Sequence, residues 1–242
     1  MKIITLQLGD SPNLNPIAIS DLHLGDPRDP ADDCHIELFK KFLREIRPNP
    51  LFFLGDTFEL WQFKERTIVN KNRLLLQQIK LSKPLFILGN HDAKIGKWIR
   101  DIFGRHSIIR GALRLITDHY IYLLYHGHQH DLWTSRWGAI GYAVSRCAGL
   151  LERIISRDID VWASKICRQG RYMTEKQFNK FLNRAARIGL KEDVDIVAFG
   201  HTHKAREERK RRIRLINLGS WTIGGMPMFL DLYSGRLARF EP

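Results

Sequence analysis

The sequence predicts an α/β layered protein, and three observations carry that reading. Short, wholly apolar runs recur along the chain, as strands buried on both faces require. Stretches with apolar residues at helical spacing stand between them. With 242 residues, 44% hydrophobic and 27% charged, the chain reads as globular rather than disordered. It is long enough to bury a core without disulfides or a structural metal.

Taken in order, Pro16-Ile17-Ala18-Ile19-Ser20 is a short strand ending at Asp21. Apolar residues at 39, 42, 43 and 46 mark one face of a helix over residues 36–46. Asp32 or Asp33 is placed to cap it and Pro48 to stop it. Leu51-Phe52-Phe53-Leu54 is a buried strand. Residues 74–81 read as helix, Pro84 breaks it, and Leu85-Phe86-Ile87-Leu88 is a second buried strand. Further strands are expected over residues 120–125, 195–199, 213–218, 228–233 and 236–240, the last pair joined by a turn at Ser234-Gly235. The exception to the alternation is a stretch of almost wholly helical pattern over residues 131–193. It holds Trp133, Trp137 and Trp162, three of the six tryptophans, among many basic residues. The expectation is one domain, 1–242, with a helical insertion at 131–193 between two strands. That insertion is either a layer covering the sheet or a lid over a substrate.

Three scattered cysteines, Cys34, Cys147 and Cys167, exclude a disulfide framework and a CxxC zinc ribbon, and suit a reducing, cytoplasmic setting. The apolar residues at the N-terminus are too few for a signal peptide, and residues 137–144 fall far short of a membrane span. The net charge of +13 implies an anionic partner: nucleic acid, an anionic membrane surface or a phosphorylated small molecule. Its densest stretch is residues 204–214, read either as a solvated hairpin or as a contact for anionic lipid or nucleic acid.

The residues directly after each apolar run carry the chemistry. Asp21-Leu22-His23 stands after the first and Gly55-Asp56 after the second. Gly89-Asn90-His91-Asp92, His126-Gly127-His128-Gln129-His130 and Gly200-His201-Thr202-His203 stand after three more. Seven of the ten histidines lie in these clusters, whereas His35, His106 and His119 match nothing. In α/β sheets, sites form beyond the carboxyl ends of strands, so the five clusters should converge. Residues two apart at a strand end point the same way, so Asp-x-His and His-x-His can grip one ion. The donors are carboxylate, amide and imidazole with no thiolate, a set suited to Mn²⁺, Fe or Zn²⁺. They are too many for one ion. Two divalent ions bridged by a carboxylate form the arrangement used to cleave phosphate esters. From the residues alone, either His126 or His128 could be a ligand. Asp92 could orient His91 or cap its turn, and Glu59 and Trp61 read as supporting residues.

This ordered set resembles the calcineurin-like metallophosphoesterases over residues 17–220. The resemblance implies a four-layer α/β/β/α sandwich with the metal site at one end. It implies that Asp21, His23 and His203 hold one metal and Asn90, His126 and His201 the other, that Asp56 bridges them, and that His91 assists the leaving group. Asp21-Leu22-His23-Leu24-Gly25, the run Gly55-Asp56-Thr57-Phe58-Glu59-Leu60-Trp61 and the helical insertion are similar to the UDP-2,3-diacylglucosamine pyrophosphatase branch. That branch would imply a lipid-nucleotide substrate and peripheral contact with the inner membrane. The chain departs from the branch's best-known form by carrying His91 in place of an arginine. A nuclease on the same fold and a non-catalytic scaffold are the competing readings.

Overall fold

The computed structural model describes residues 1–9, 11, 13–25, 30–130, 174–222 and 225–241. The expectations for residues 131–173, including Trp133, Trp137 and Trp162, lie outside the described residues.

The four-residue apolar runs form strands because each feeds two cores. In β3 (Leu51–Leu54), Phe52 and Leu54 point into the space between two sheets, while Leu51 and Phe53 point into a helical layer. The same two-sided burial governs β2 (Ile17–Ile19), β4 (Leu85–Ile87), β7 (Ile121–Leu124) and β8 (Ile196–Phe199). One sheet runs in the order β1 (Ile3–Gln7), β6 (Ala112–Ile116), β7, β8, β10 (Ile213–Asn217), β9 (Arg206–Lys210). The other runs β12 (Leu237–Arg239), β11 (Met228–Asp231), β2, β3, β4, β5 (Ile108–Ile109). Between them lies an apolar layer that includes Phe52, Leu124, Ala198 and Leu218. Across it the Tyr122 hydroxyl donates to the Leu232 carbonyl at 2.9 Å.

Outside the second sheet pack α1 (Pro30–Ile46), α2 (Glu65–Lys71), α3 (Arg73–Leu81) and α4 (Lys97–Phe103). Phe39 and Phe42 meet Trp221 edge-on, and Phe53 stacks on Phe86 at 4.8 Å. Outside the first sheet, α5 (Glu175–Lys191) lays Phe178, Phe181, Leu182 and Ala185 on Val197, Phe199 and Leu215. Three cores between four layers make the α/β/β/α sandwich. Thr174 begins α5 with a reciprocal capping box to Gln177. This part of the expected insertion is thus a layer covering the sheet.

One local expectation is corrected. The first helix begins at Pro30, so Asp32 and Asp33 lie inside it rather than capping it. Proline suits the first helical position because its missing N–H has no intrahelical acceptor there. The basic run forms the hairpin that one of its two readings expected: β9 pairs antiparallel with β10, and most of its cations are matched. Arg206 meets Glu175 and Glu208, Arg212 meets Asp193, and Arg214 binds Glu207 at 2.6 and 2.9 Å.

Candidate metal centre

The strands that bear the motifs are parallel, so their carboxyl ends emerge together. β2, β3 and β4 run parallel in one sheet, and β7 and β8 in the other. The backbone stays paired past the strand ends. Asp21 N–H donates to Gly55 O at 3.2 Å and His23 N–H to Asp56 O at 2.9 Å. Two bonds then stitch the sheets together at this end. His201 N–H donates to Asp21 Oδ2 at 2.9 Å, and the His126 ring reaches the Leu54 carbonyl from Nδ1 at 2.8 Å.

The result is three overlapping groups of donor atoms, each within 4.8 Å: Asp21, His23 and His203; His23, Asp56 and His91; Asp56, His126 and His201. Asp56 belongs to two of them. His126 Nε2 lies 3.1 Å from Asp56 Oδ2 and 3.2 Å from Asn90 Oδ1. His203 Nε2 lies 3.1 Å from Asp21 Oδ1, and His23 Nε2 lies 3.7 Å from the same oxygen and 3.9 Å from Asp56 Oδ2. All seven residues expected as metal ligands are therefore brought to one place.

The histidines are oriented from behind. A carbonyl can only accept, so His126 donates from Nδ1 to Leu54 and turns Nε2 inward. His23 Nδ1 and His91 Nδ1 meet the two oxygens of Glu59, at 2.9 and 2.7 Å. Their Nε2 atoms face Asp56 Oδ2, that of His91 from 4.0 Å. Among the described residues, Asp21 Oδ1 and His23 Nε2 are buried and make no hydrogen bond of good geometry, although His203 Nε2 approaches the first. A buried carboxylate oxygen and an imidazole nitrogen left bare beside each other suit a divalent cation. The oxygen and nitrogen donors fit a borderline ion, so the residues present match the metal that the motifs imply.

Electrostatics point the same way. Burial would raise the Asp21 carboxyl, but His203 and His23 hold it well below the usual carboxylate range. Burial is likewise outweighed at Asp56 by His126 and His91. Burial disfavours the imidazolium at His23, yet Asp21 and Glu59 push it up to about 10, and Asp56 pushes His126 up to about 9. A divalent cation would compete with those protons for the same nitrogens, so its uptake releases protons.

Backbone strain collects here. Asp21, His23, Asp56, His201 and His203 all have positive φ, from 48° to 70°. Gly55, at φ 88°, lets the backbone pass so close that a Cβ there would enter the His126 ring.

The supporting residues divide the remaining roles. Asp92 accepts from the backbone N–H of Gly89 at 2.6 Å and of Thr57 at 2.8 Å, so it fixes the turn rather than His91. Burial and Asp56 raise its carboxyl to about 6. Glu59 is the residue that holds His91. The sequence placed Glu59 among the supporting residues, and nothing in it pointed from Glu59 to His91. Trp61 stacks on His91 at 4.1 Å and donates from Nε1 to Asn90 O at 2.7 Å. His128 lies beside His126, with ring centroids 5.4 Å apart, but joins none of the donor groups, and burial with His126 pushes its imidazole down to about 3. His130 turns away to the Tyr125 hydroxyl, 2.9 Å from its Nε2.

The calcineurin-like phosphoesterase family pattern matches residues 15–205. A UDP-2,3-diacylglucosamine hydrolase of Vibrio atlanticus is 23% identical over 206 residues, covering 77% of this chain and 79% of the relative. One of Blochmanniella pennsylvanica is 26% identical over 226 residues, covering 84% and 86%. Among solved structures, vacuolar protein sorting 29 of Cryptosporidium parvum matches at a TM-score of 0.48 and 14% identity, over 95% of this chain and 100% of that one. An archaeal phosphodiesterase matches at 0.47 and 15%, over 94% and 99%. Among the described residues no helix is long and apolar enough to cross a membrane. By a pattern spanning most of its length and a donor cluster set at the ends of parallel strands, the chain belongs to the calcineurin-like phosphoesterase family.

Proposed function

We propose that the chain hydrolyses a phosphoanhydride in a lipid-linked nucleotide of the UDP-2,3-diacylglucosamine type, using two divalent cations, Mn²⁺ foremost and Fe or Zn²⁺ as alternatives. The observation that carries the reading is the convergence of donors from five strand ends on Asp56. The relatives from Vibrio atlanticus and Blochmanniella pennsylvanica support the substrate class.

Asp21, His23 and His203 would hold one cation, Asn90, His126 and His201 the other, and Asp56 both. Bound there, the cations supply Lewis-acid polarisation of the phosphoryl group and lower the pKa of water. The chain's own residues do the rest. Glu59 anchors His91 through Nδ1, and Trp61 covers one ring face, so Nε2 is held toward the reacting space. From that atom His91 donates a proton to the leaving oxygen or a hydrogen bond to a phosphoryl oxygen. Asp92 keeps the Gly89 and Thr57 backbones fixed, which fixes the positions of Asn90 and Asp56 in turn. The basic, tryptophan-bearing residues 131–173 are the proposed grip on a bulky anionic substrate, and a peripheral site at the cytoplasmic face of the membrane is the setting that substrate requires.

The test is a substrate panel with added Mn²⁺: UDP-2,3-diacylglucosamine, an aryl phosphodiester, an aryl phosphomonoester and a labelled oligonucleotide. Preferred turnover of the pyrophosphate is expected. Preferred cleavage of the oligonucleotide would replace this reading with a nuclease. Metal uptake without turnover of any substrate would replace it with a scaffold.

A further inference from the structure

A second basic feature lies away from the donor cluster. Lys2, Arg100, Arg105 and Arg110 line one concavity of about 310 Å³ with Ile4 and Ile108 as its apolar wall, and among the described residues no acidic one takes part. The fold brings these cations together from separate elements. Lys2 precedes edge strand β1, Arg100 stands on α4, and Arg105 and Arg110 flank β5. The close pass of β1 depends on Gly111, at φ 127°, where a Cβ would strike the Lys2 carbonyl, which accepts from Ala112 N–H at 3.0 Å.

The β9–β10 hairpin offers a contrast. There the cations mostly have carboxylates, whereas none of these four forms an ion pair among the described residues. Four like charges gathered with no ion-pair partner among the described residues repel one another, and an anion relieves that repulsion. Two of the guanidinium groups are also already tethered. Arg100 donates from Nε to Gly96 O at 2.9 Å and Arg110 from Nη1 to Ala93 O at 3.0 Å. Each keeps further N–H donors for a ligand, with less side-chain freedom left to lose on binding it. The volume is at the small end of ligand pockets, about 300–1,000 Å³, which suits a phosphate or diphosphate group and not a whole lipid.

We propose that this concavity is a binding site for a phosphoryl group, formed by Lys2, Arg100, Arg105 and Arg110 and separate from the metal centre. The group belongs either to a free phosphorylated solute or to an anionic lipid headgroup at the edge of a bilayer. The site shares no residue with the donor cluster and goes beyond the proposed hydrolysis.

The experiment compares the metal-loaded chain with Lys2→Ser/Arg105→Ser. Both side chains are exposed and hydrogen-bond no described residue, so the variant keeps the contacts that fold the chain. Arg110 is left alone because it holds Ala93, next to the metal-centre loop. The probes are inorganic tripolyphosphate by calorimetry and phosphatidylglycerol vesicles by sedimentation. Binding at the metal centre is common to both proteins and cancels. The double variant should lose about tenfold or more in affinity for at least one probe, as loss of charged hydrogen bonds implies. Turnover of bis(p-nitrophenyl) phosphate should not change. Loss for tripolyphosphate identifies the solute, and loss for vesicles alone identifies the headgroup. Arg105→Glu should weaken the same probe further. Equal affinity of all three proteins for both probes overturns the site, whatever the substrate panel returns.

Discussion

Glu59 and His91 share a 2.7 Å hydrogen bond, and the other oxygen of the same carboxylate holds His23 at 2.9 Å. One buried side chain therefore sets the direction of a candidate metal ligand and of the candidate proton donor together. Burial alone would raise its carboxyl, but the two imidazoles hold Glu59 well below the usual range. Glu59→Gln keeps the shape and removes the charge. Turnover should fall about 10–100-fold, with metal affinity falling in parallel through His23. Turnover and metal titrations that match the unaltered chain would refute the coupling.

His91→Ala should show its role through the leaving group. General-acid help is worth about 10²–10⁴-fold and matters only when the departing oxygen needs a proton. Turnover of an alkyl or pyrophosphate substrate should drop far more than that of a p-nitrophenyl ester, with metal content unchanged. Equal losses would instead assign His91 to stabilising charge on the phosphoryl oxygens.

Asp56 belongs to two donor groups and accepts from His91 N–H at 2.8 Å. Asp56→Asn should lower the bound metal from about two ions per chain and abolish turnover. The circular dichroism spectrum should stay native. Two ions retained with full activity would remove Asp56 from the bridging position.

Gly55→Ala tests the close pass at the end of β3. The added methyl must displace the His126 ring, and the left-handed backbone adds strain of about 1–3 kcal/mol. Both a lower melting temperature and weaker metal binding are expected. Loss of stability with unchanged metal binding would mean that His126 accommodates the methyl without leaving its place.

His130 gives a pH signature apart from the donors. Burial and Arg184 push its imidazole down to about 4, below the unfolded value of 6.5. The folded state thus binds fewer protons than the unfolded state in between. The associated stability is full above about pH 6.5 and is lost as pH falls toward about 4, on the order of 3 kcal/mol. Urea unfolding of His130→Gln at about pH 7 and about pH 4.5 should show a smaller drop than the unaltered chain shows. An equal drop would place the acid sensitivity elsewhere.

The parts of this fold that were legible in the sequence are those whose side chains meet two cores. Residues 51–54 and 85–88 announce themselves because both faces of each strand are apolar. β1 was not expected as a strand, since it is an edge with one face in solvent. Arg-Glu-Glu-Arg-Lys at β9 has no apolar residue, because its pairing rests on β10 and on ion pairs. Helices α2 and α4, seven residues each, are too short to show a period. The convergence of Asp21, Asp56, Asn90, His126 and His201 was legible because each closely succeeds an apolar run. That Glu59 and not Asp92 steadies His91 was not legible. Adjacency along the chain left Asp92 open for that role, whereas the hydrogen bond is decided by which loop lies behind the imidazole.

Left-handed backbone at a residue with a side chain costs roughly 1–2 kcal/mol each. Asp21, His23, Asp56, His201 and His203 all stand in that region. Their loops thus oppose, by their own geometry, the arrangement that brings the donors together. The backbone hydrogen bonds of these loops offset part of that tension, and cation uptake would offset more, so that its free energy would enter the folding free energy of this end of the sandwich. A chelator would then act as a local denaturant. Amide protons of residues 21–24, 55–57 and 200–203 should exchange with solvent first, while the strands behind them stay protected.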